Sequence, residues 1–157
     1  MNKLILLTIA VIVAGCTSNN VVDRQNKVSY NPVLAKKLGA DEYGMKKYVM
    51  AFLKSGPVKI TDSTERAKLQ VAHLNNITRL ANEGKLLVAG PFLDSQELRG
   101  IFIFNIESIE EAKTLTETDP AIKAGTLIME LHPWYGSAAL VETAEIHKSV
   151  QKKAFGE

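Results

Sequence analysis

Between residues 46 and 132 the chain alternates short apolar runs with longer segments in which apolar residues recur every three or four positions. The first pattern is that of a strand buried on both faces, the second that of a helix with one apolar stripe. Lys47 to Leu53 (K-Y-V-M-A-F-L) reads as the first strand, with Tyr48, Met50 and Phe52 on one face and Val49, Ala51 and Leu53 on the other. Asp62-Ser63-Thr64-Glu65 offers a capping residue with an acid three positions on, opening a helix that runs to Glu83 and stops at Gly84. At about 100° per residue, Ala67, Val71, Leu74, Ile77, Leu80 and Ala81 share one arc. His73 falls inside that arc and should point toward a sheet.

Lys85 to Pro91 is a second strand and Arg99 to Glu107 a third, together an antiparallel hairpin in which Ile101 and Ile103 face away from Phe102, Phe104 and Ile106. Ser108-Ile109-Glu110-Glu111 repeats the capping pattern. The helix it opens puts Ile109, Ala112, Leu115, Thr116 and Asp119 on one face, and Pro120 ends it. One more turn, Pro120 to Ala124, has Asp119 placed to cap it. Thr126 to His132 is the fourth strand, ended by Pro133, with Leu127, Met129 and Leu131 opposite Ile128, Glu130 and His132. From Ser137 on, Leu140, Ala144, His147 and Ala154 permit a helix, and a strand or tail stays open.

Strand, helix, strand, strand, helix, strand is the ferredoxin-like order, an α+β fold with a four-stranded antiparallel sheet and helices on one face. Three of the strands are apolar on both faces, so the second face needs a cover. A second copy of the chain supplies one most simply, as a homodimeric α+β barrel; the C-terminal segment is the alternative.

Upstream, Met1-Asn2-Lys3, an apolar run from Leu4 to Val13 and Ala14-Gly15-Cys16 form a signal-peptide pattern, too short to span a bilayer comfortably. Val13-Ala14-Gly15-Cys16 resembles the lipobox of bacterial lipoproteins. The organisation expected is a leader over 1–15, a lipidated Cys16 and polar tether over 16–45, a domain over 46–136 and a C-terminal helix or tail over 137–157. Acyl chains on Cys16 would hold the protein on a membrane of the bacterial envelope, and Thr17 in place of Asp resembles the pattern sent to an outer membrane. Pro32 to Leu38 is expected as a single helical turn within the tether.

The whole chain, 157 residues, suits one core. Nineteen basic against seventeen acidic residues, a formal charge of +2, give no reason to expect nucleic acid, and a lone cysteine cannot make an internal disulfide. There is no phosphate-cradling glycine loop and no G-x-S-x-G elbow, so any chemistry is expected to need no cofactor.

His73 and Asp119 are the leading pair, one on each helix and both aimed at the sheet. An acid beside an imidazole fixes its tautomer, which suits proton transfer. The structural alternative is a core histidine and a helix cap. Glu130 and His132 share a strand face and with His73 hint at a metal, but the spacing of a structural site is absent and no metal is expected. Gly90-Pro91, where a backbone can approach a ligand closely, and Trp134 complete the candidate ligand contacts, although Trp134 also suits the closing of a core.

The ordered set of Tyr48-Val49, His73, Gly84-Lys85-Leu86 with Gly90-Pro91, and Asp119-Pro120 with Gly125 resembles the YCII-related domain family over about residues 46–135. The resemblance implies a dimeric α+β barrel with a histidine and an aspartate as a proposed catalytic dyad, at His73 and Asp119 here. A chlorinated-hydroquinone dehydrochlorinase belongs to that family, which implies proton abstraction with loss of a leaving group. The leader and the tail after Tyr135 depart from the minimal family pattern. Two functions follow as expectations: an envelope lipoprotein with a cofactor-free enzymatic pocket for proton transfer, elimination or hydrolysis, or a non-catalytic ligand-binding or scaffold module.

Overall fold

A computed structural model describes residues 29–94 and 96–153. The leader, Cys16 and the first part of the expected tether lie outside the described residues. The elements are α1 (Pro32–Leu38), β1 (Met45–Ser55), α2 (Ser63–Asn82), β2 (Leu86–Pro91), β3 (Leu98–Phe104), α3 (Ile109–Thr116), α4 (Pro120–Lys123), β4 (Leu127–Ser137), a 3₁₀ turn (Ala138–Glu142) and α5 (Thr143–Val150). Among the described residues no helix is long and apolar enough to cross a membrane.

The helix starts follow from their caps. Asp62 accepts from the Glu65 N–H at 2.7 Å at the head of α2, and Ser108 accepts from Glu111 at 3.2 Å at the head of α3. The strands form one antiparallel sheet in the order β2-β3-β1-β4, the ferredoxin-like arrangement. Val49, Ala51, Leu53, Phe102 and Phe104 build the main core with Leu80 of α2 and Ala112 of α3, while Tyr48, Leu87 and Ile103 form a second cluster through the other face. The strand periodicity assigns these faces as the core divides them.

One feature departs from the sequence pattern, and two segments for which it allowed a helix are ordered against the domain. β4 does not end at Pro133 but runs on to Ser137, pairing Val49 with Pro133 and Tyr48 with Trp134. As the edge strand, β4 has neighbours on one side only, and there a residue without an N–H is tolerated. The C-terminal segment is ordered as the 3₁₀ turn and α5, and Leu140 and Val141 lie against the second core cluster, so this chain itself covers part of that sheet face. The expected tether contains α1, whose Leu38 is buried and whose Lys37 pairs with Glu142 of the 3₁₀ turn at 2.8 Å.

The loop after β1 is pinned to the start of β4: Gly56 donates to Thr126 at 2.8 Å and Val58 to Gly125 at 3.1 Å. A Cβ at Gly56 would fall 2.1 Å from the Gly125 carbonyl oxygen, a backbone atom that cannot rotate away.

Gly56→Ala is therefore expected to destabilise the fold by about 1–3 kcal/mol, read as a lower urea midpoint. Phe104→Ala, at a fully buried position paired to both β1 and β2, should cost about 3–5 kcal/mol. Ile128→Ala, half exposed on the edge strand, should stay within about 0.5 kcal/mol in the same measurement.

Candidate functional site

The buried positions of α2 are His73, Asn76 and Leu80, a stripe at helical spacing, while Val71 is half exposed although the periodicity put it on the apolar arc. Asp119 lies between α3 and α4 and is wholly buried. Its Oδ1 accepts from the Ala121 N–H at 2.8 Å, capping α4, and its Oδ2 meets His73 Nδ1 at 2.8 Å. The two readings of this aspartate, cap and histidine partner, hold together because each oxygen serves one of them.

An ionised carboxylate only accepts, so toward an ionised Asp119 it is Nδ1 that donates, and a neutral imidazole in that arrangement keeps its lone pair on Nε2. The His73 ring stacks on Phe102, with centroids 6.2 Å apart and planes 15° from parallel. Held on one edge by Asp119 and on one face by Phe102, the ring has a single orientation.

His73 forms part of the wall of a cavity of about 690 Å³, a size suited to a small organic molecule. The cavity sits between α2 and the helix-covered face of the sheet, at the end where β1 finishes and β4 begins. Its walls are mainly apolar, with Leu53, Leu69, Leu74, Ile77, Phe102 and Leu127 among them. The pinned loop contributes Val58, Lys59 and Ile60. Gly90 and Pro91 line it too, opposite Gly100, where a Cβ would fall 2.5 Å from the Gly90 carbonyl oxygen. The lack of a side chain at Gly100 lets β2 and β3 run this close at the cavity's edge.

Glu130, His132 and Trp134 are elsewhere. They alternate with Met129 and Leu131, which belong to the helix-side core, and so face the opposite side of the sheet from His73. There His132 Nε2 contacts Glu130 Oε1 at 2.8 Å, and Glu130 also pairs with Lys54. The Lys54 hydrogen bond, then that of His132, holds the Glu130 carboxyl below its ordinary range. Trp134 packs on Tyr48 at 5.8 Å and borders a separate hollow of about 280 Å³. Its ring lies over Gly136, where a Cβ would sit 2.2 Å from it. No group of three metal-ligating side chains occurs among the described residues.

Two charged cavity residues escaped the sequence reading, Arg66 and Arg99, whereas Lys59 belongs to the 54–62 loop whose glycine, proline and charge suggest a pocket lip. Arg66 had a usable signal, since it precedes His73 by two helical turns and shares its face. Arg99 had the opposite one. Counting back from Phe102 by strict alternation puts it on the other side of the sheet. The register, however, slips where Leu53 pairs with Gly100 and Lys54 with Leu98, leaving Arg99 as the extra residue of a bulge. A bulge re-aims a side chain in this way.

The YCII-related domain model matches residues 47–135. No curated protein matches the sequence. Among solved structures the chain is similar to 5-chloro-2-hydroxyhydroquinone dehydrochlorinase from Burkholderia phenoliruptrix AC1100, in complex with 2,5-dihydroxybenzoquinone. The identity is 25%, the TM-score 0.42, and the likeness covers 57% of this chain and 93% of that one. With more than half of its length matched, this chain belongs to the YCII-related domain family.

Proposed function

We propose that the domain converts a small organic molecule by proton transfer, with His73 as the general base or acid and Asp119 as the residue that positions it. The observation that carries this reading is the 2.8 Å contact between His73 Nδ1 and a wholly buried Asp119, on an imidazole that lines a ligand-sized cavity. Nε2 has no hydrogen-bond partner among the described residues and is the atom that reaches a ligand.

In an elimination, Nε2 takes a proton from carbon. The C–H electron pair becomes the new double bond, the leaving group departs with its own pair, and the proton then passes to water. The imidazolium formed on the way donates from both nitrogens and is stabilised by Asp119. Hydrolysis uses the same nitrogen to deprotonate water. Gly90 and Pro91 shape the wall beside the ligand, and no step calls on a cofactor. Both residues of the pair come from one chain, so in a homodimer joined at the second sheet face each copy would carry its own site. The same reading makes the protein a lipid-anchored component of the bacterial envelope, on the strength of the leader and Cys16.

Asp119→Asn tests the positioning role without a known substrate. An asparagine can still cap α4 through its oxygen, but it turns an NH₂ toward Nδ1, which must then accept, moving the ring proton to Nε2. Ring ¹⁵N NMR should show the Nδ1–H tautomer in the wild type and Nε2–H in the variant; the same tautomer in both would contradict the role given to Asp119. Small-molecule binders found by screening, then tested for turnover, should bind His73→Gln about as well as wild type while being converted about 10²–10⁴-fold more slowly. Hits that bind and are never converted by the wild type would make the domain a ligand-binding module. Separately, Cys16→Ser should move the protein from the membrane fraction to the soluble one.

A further inference from the structure

We infer that the cavity takes a small organic anion, a carboxylate or a phenolate on an apolar body; this deepens the proposed function and rests on the cavity being a ligand site. The charged residues among its walls are Lys59, Arg66 and Arg99, with His73 beside them, and no carboxylate lines it. Asp119 lies behind the imidazole with both oxygens engaged. Asp62 and Glu65, the acids at the head of α2, are exposed and are not part of the wall.

None of these three cations is held by a carboxylate among the described residues. Lys37, Lys54, Arg79, Lys85 and Lys148 each face a glutamate. By contrast, Lys59 donates only to the Gly56 carbonyl at 3.1 Å, Arg66 to the Ile60 carbonyl at 3.3 Å and Arg99 to the Gln96 carbonyl at 3.4 Å, with no acidic partner among the described residues. Arg66 stands near the N-terminus of α2, where the helix dipole disfavours a cation. Arg99 reaches the cavity through a break in the β3 register. The three come from a loop, a helix and a bulged strand, and they converge on one concave, otherwise apolar space. Such a surface concentrates anions and holds them by charge-assisted hydrogen bonds, while the apolar walls accept the remainder of the molecule.

The cations serve binding and His73 serves turnover, which separates the two readings experimentally. Two isosteric pairs are titrated by NMR against the full chain: benzoate with benzamide, and 4-nitrophenolate, above its pKa, with 4-nitroaniline. The first pair tests a carboxylate, the second a phenolate. In at least one pair the anion should bind about tenfold or more tighter than its neutral partner, with shifts at His73 and Phe102. The preference should shrink in each of Lys59→Gln, Arg66→Gln and Arg99→Gln and disappear in the triple variant. All three positions are exposed, so the thermal midpoint should hold. Equal binding of anion and neutral partner in both pairs, or a preference that survives all three substitutions, overturns the inference and leaves the cavity as a ligand site. Failure of all four probes to perturb the cavity at millimolar concentration overturns the inference and also counts against the reading it rests on.

Discussion

A carboxylate with no solvent exposure is the constraint that the rest of this molecule accommodates. Taking such a charge out of water costs several kcal/mol unless other groups hold it, so Asp119 is tolerable only where both of its oxygens find donors. One donor is the Ala121 N–H, which comes with α4 itself; the other has to be brought by a different element, and α2 brings it as His73. That requirement fixes the rotation of α2 over the sheet. It puts Leu80 in the core two turns on, turns Val71 outward and leaves the space toward the helix's first half to be lined rather than filled. Core, cap and cavity are then three aspects of one placement.

Much of this was legible because it depends on local rules. Capping residues mark where α2 and α3 begin, and the alternation along β1, β4 and the part of β3 from Gly100 on separates the two sheet faces correctly. His73 and Asp119 were readable as partners because an imidazole on an apolar arc and a carboxylate on another both have to be satisfied somewhere. What was not legible depends on position in the assembled sheet. Pro133 reads as a stop, and only knowing that β4 lies at an edge shows that the chain can continue through it. Arg99 is misassigned by alternation because the bulge belongs to the pairing of β1 with β3 and has no mark in either strand alone. The apolar content of the C-terminal segment is slight, yet Leu140 and Val141 suffice because Tyr48, Leu87 and Ile103 already present a surface for them.

Glu130 and His132 show the limit of neighbourhood in sequence. Two residues apart on a strand, they do share a face and do touch, but the face is not the one that carries His73. Their environment is an exposed ion-paired cluster with Lys54 and the edge of Phe52, whereas His73 has a buried partner and an apolar roof. The sheet, one residue thick, separates two chemically different surfaces.

β1 also gives the body a direction. It begins at Met45, just after α1, and ends at Ser55 on the cavity wall, a run of about 30 Å along one strand. The chain therefore enters the folded body at one end of the sheet and the cavity lies at the other. Within the described body, then, a ligand in the cavity and the first residue of β1 stand at opposite ends of the sheet.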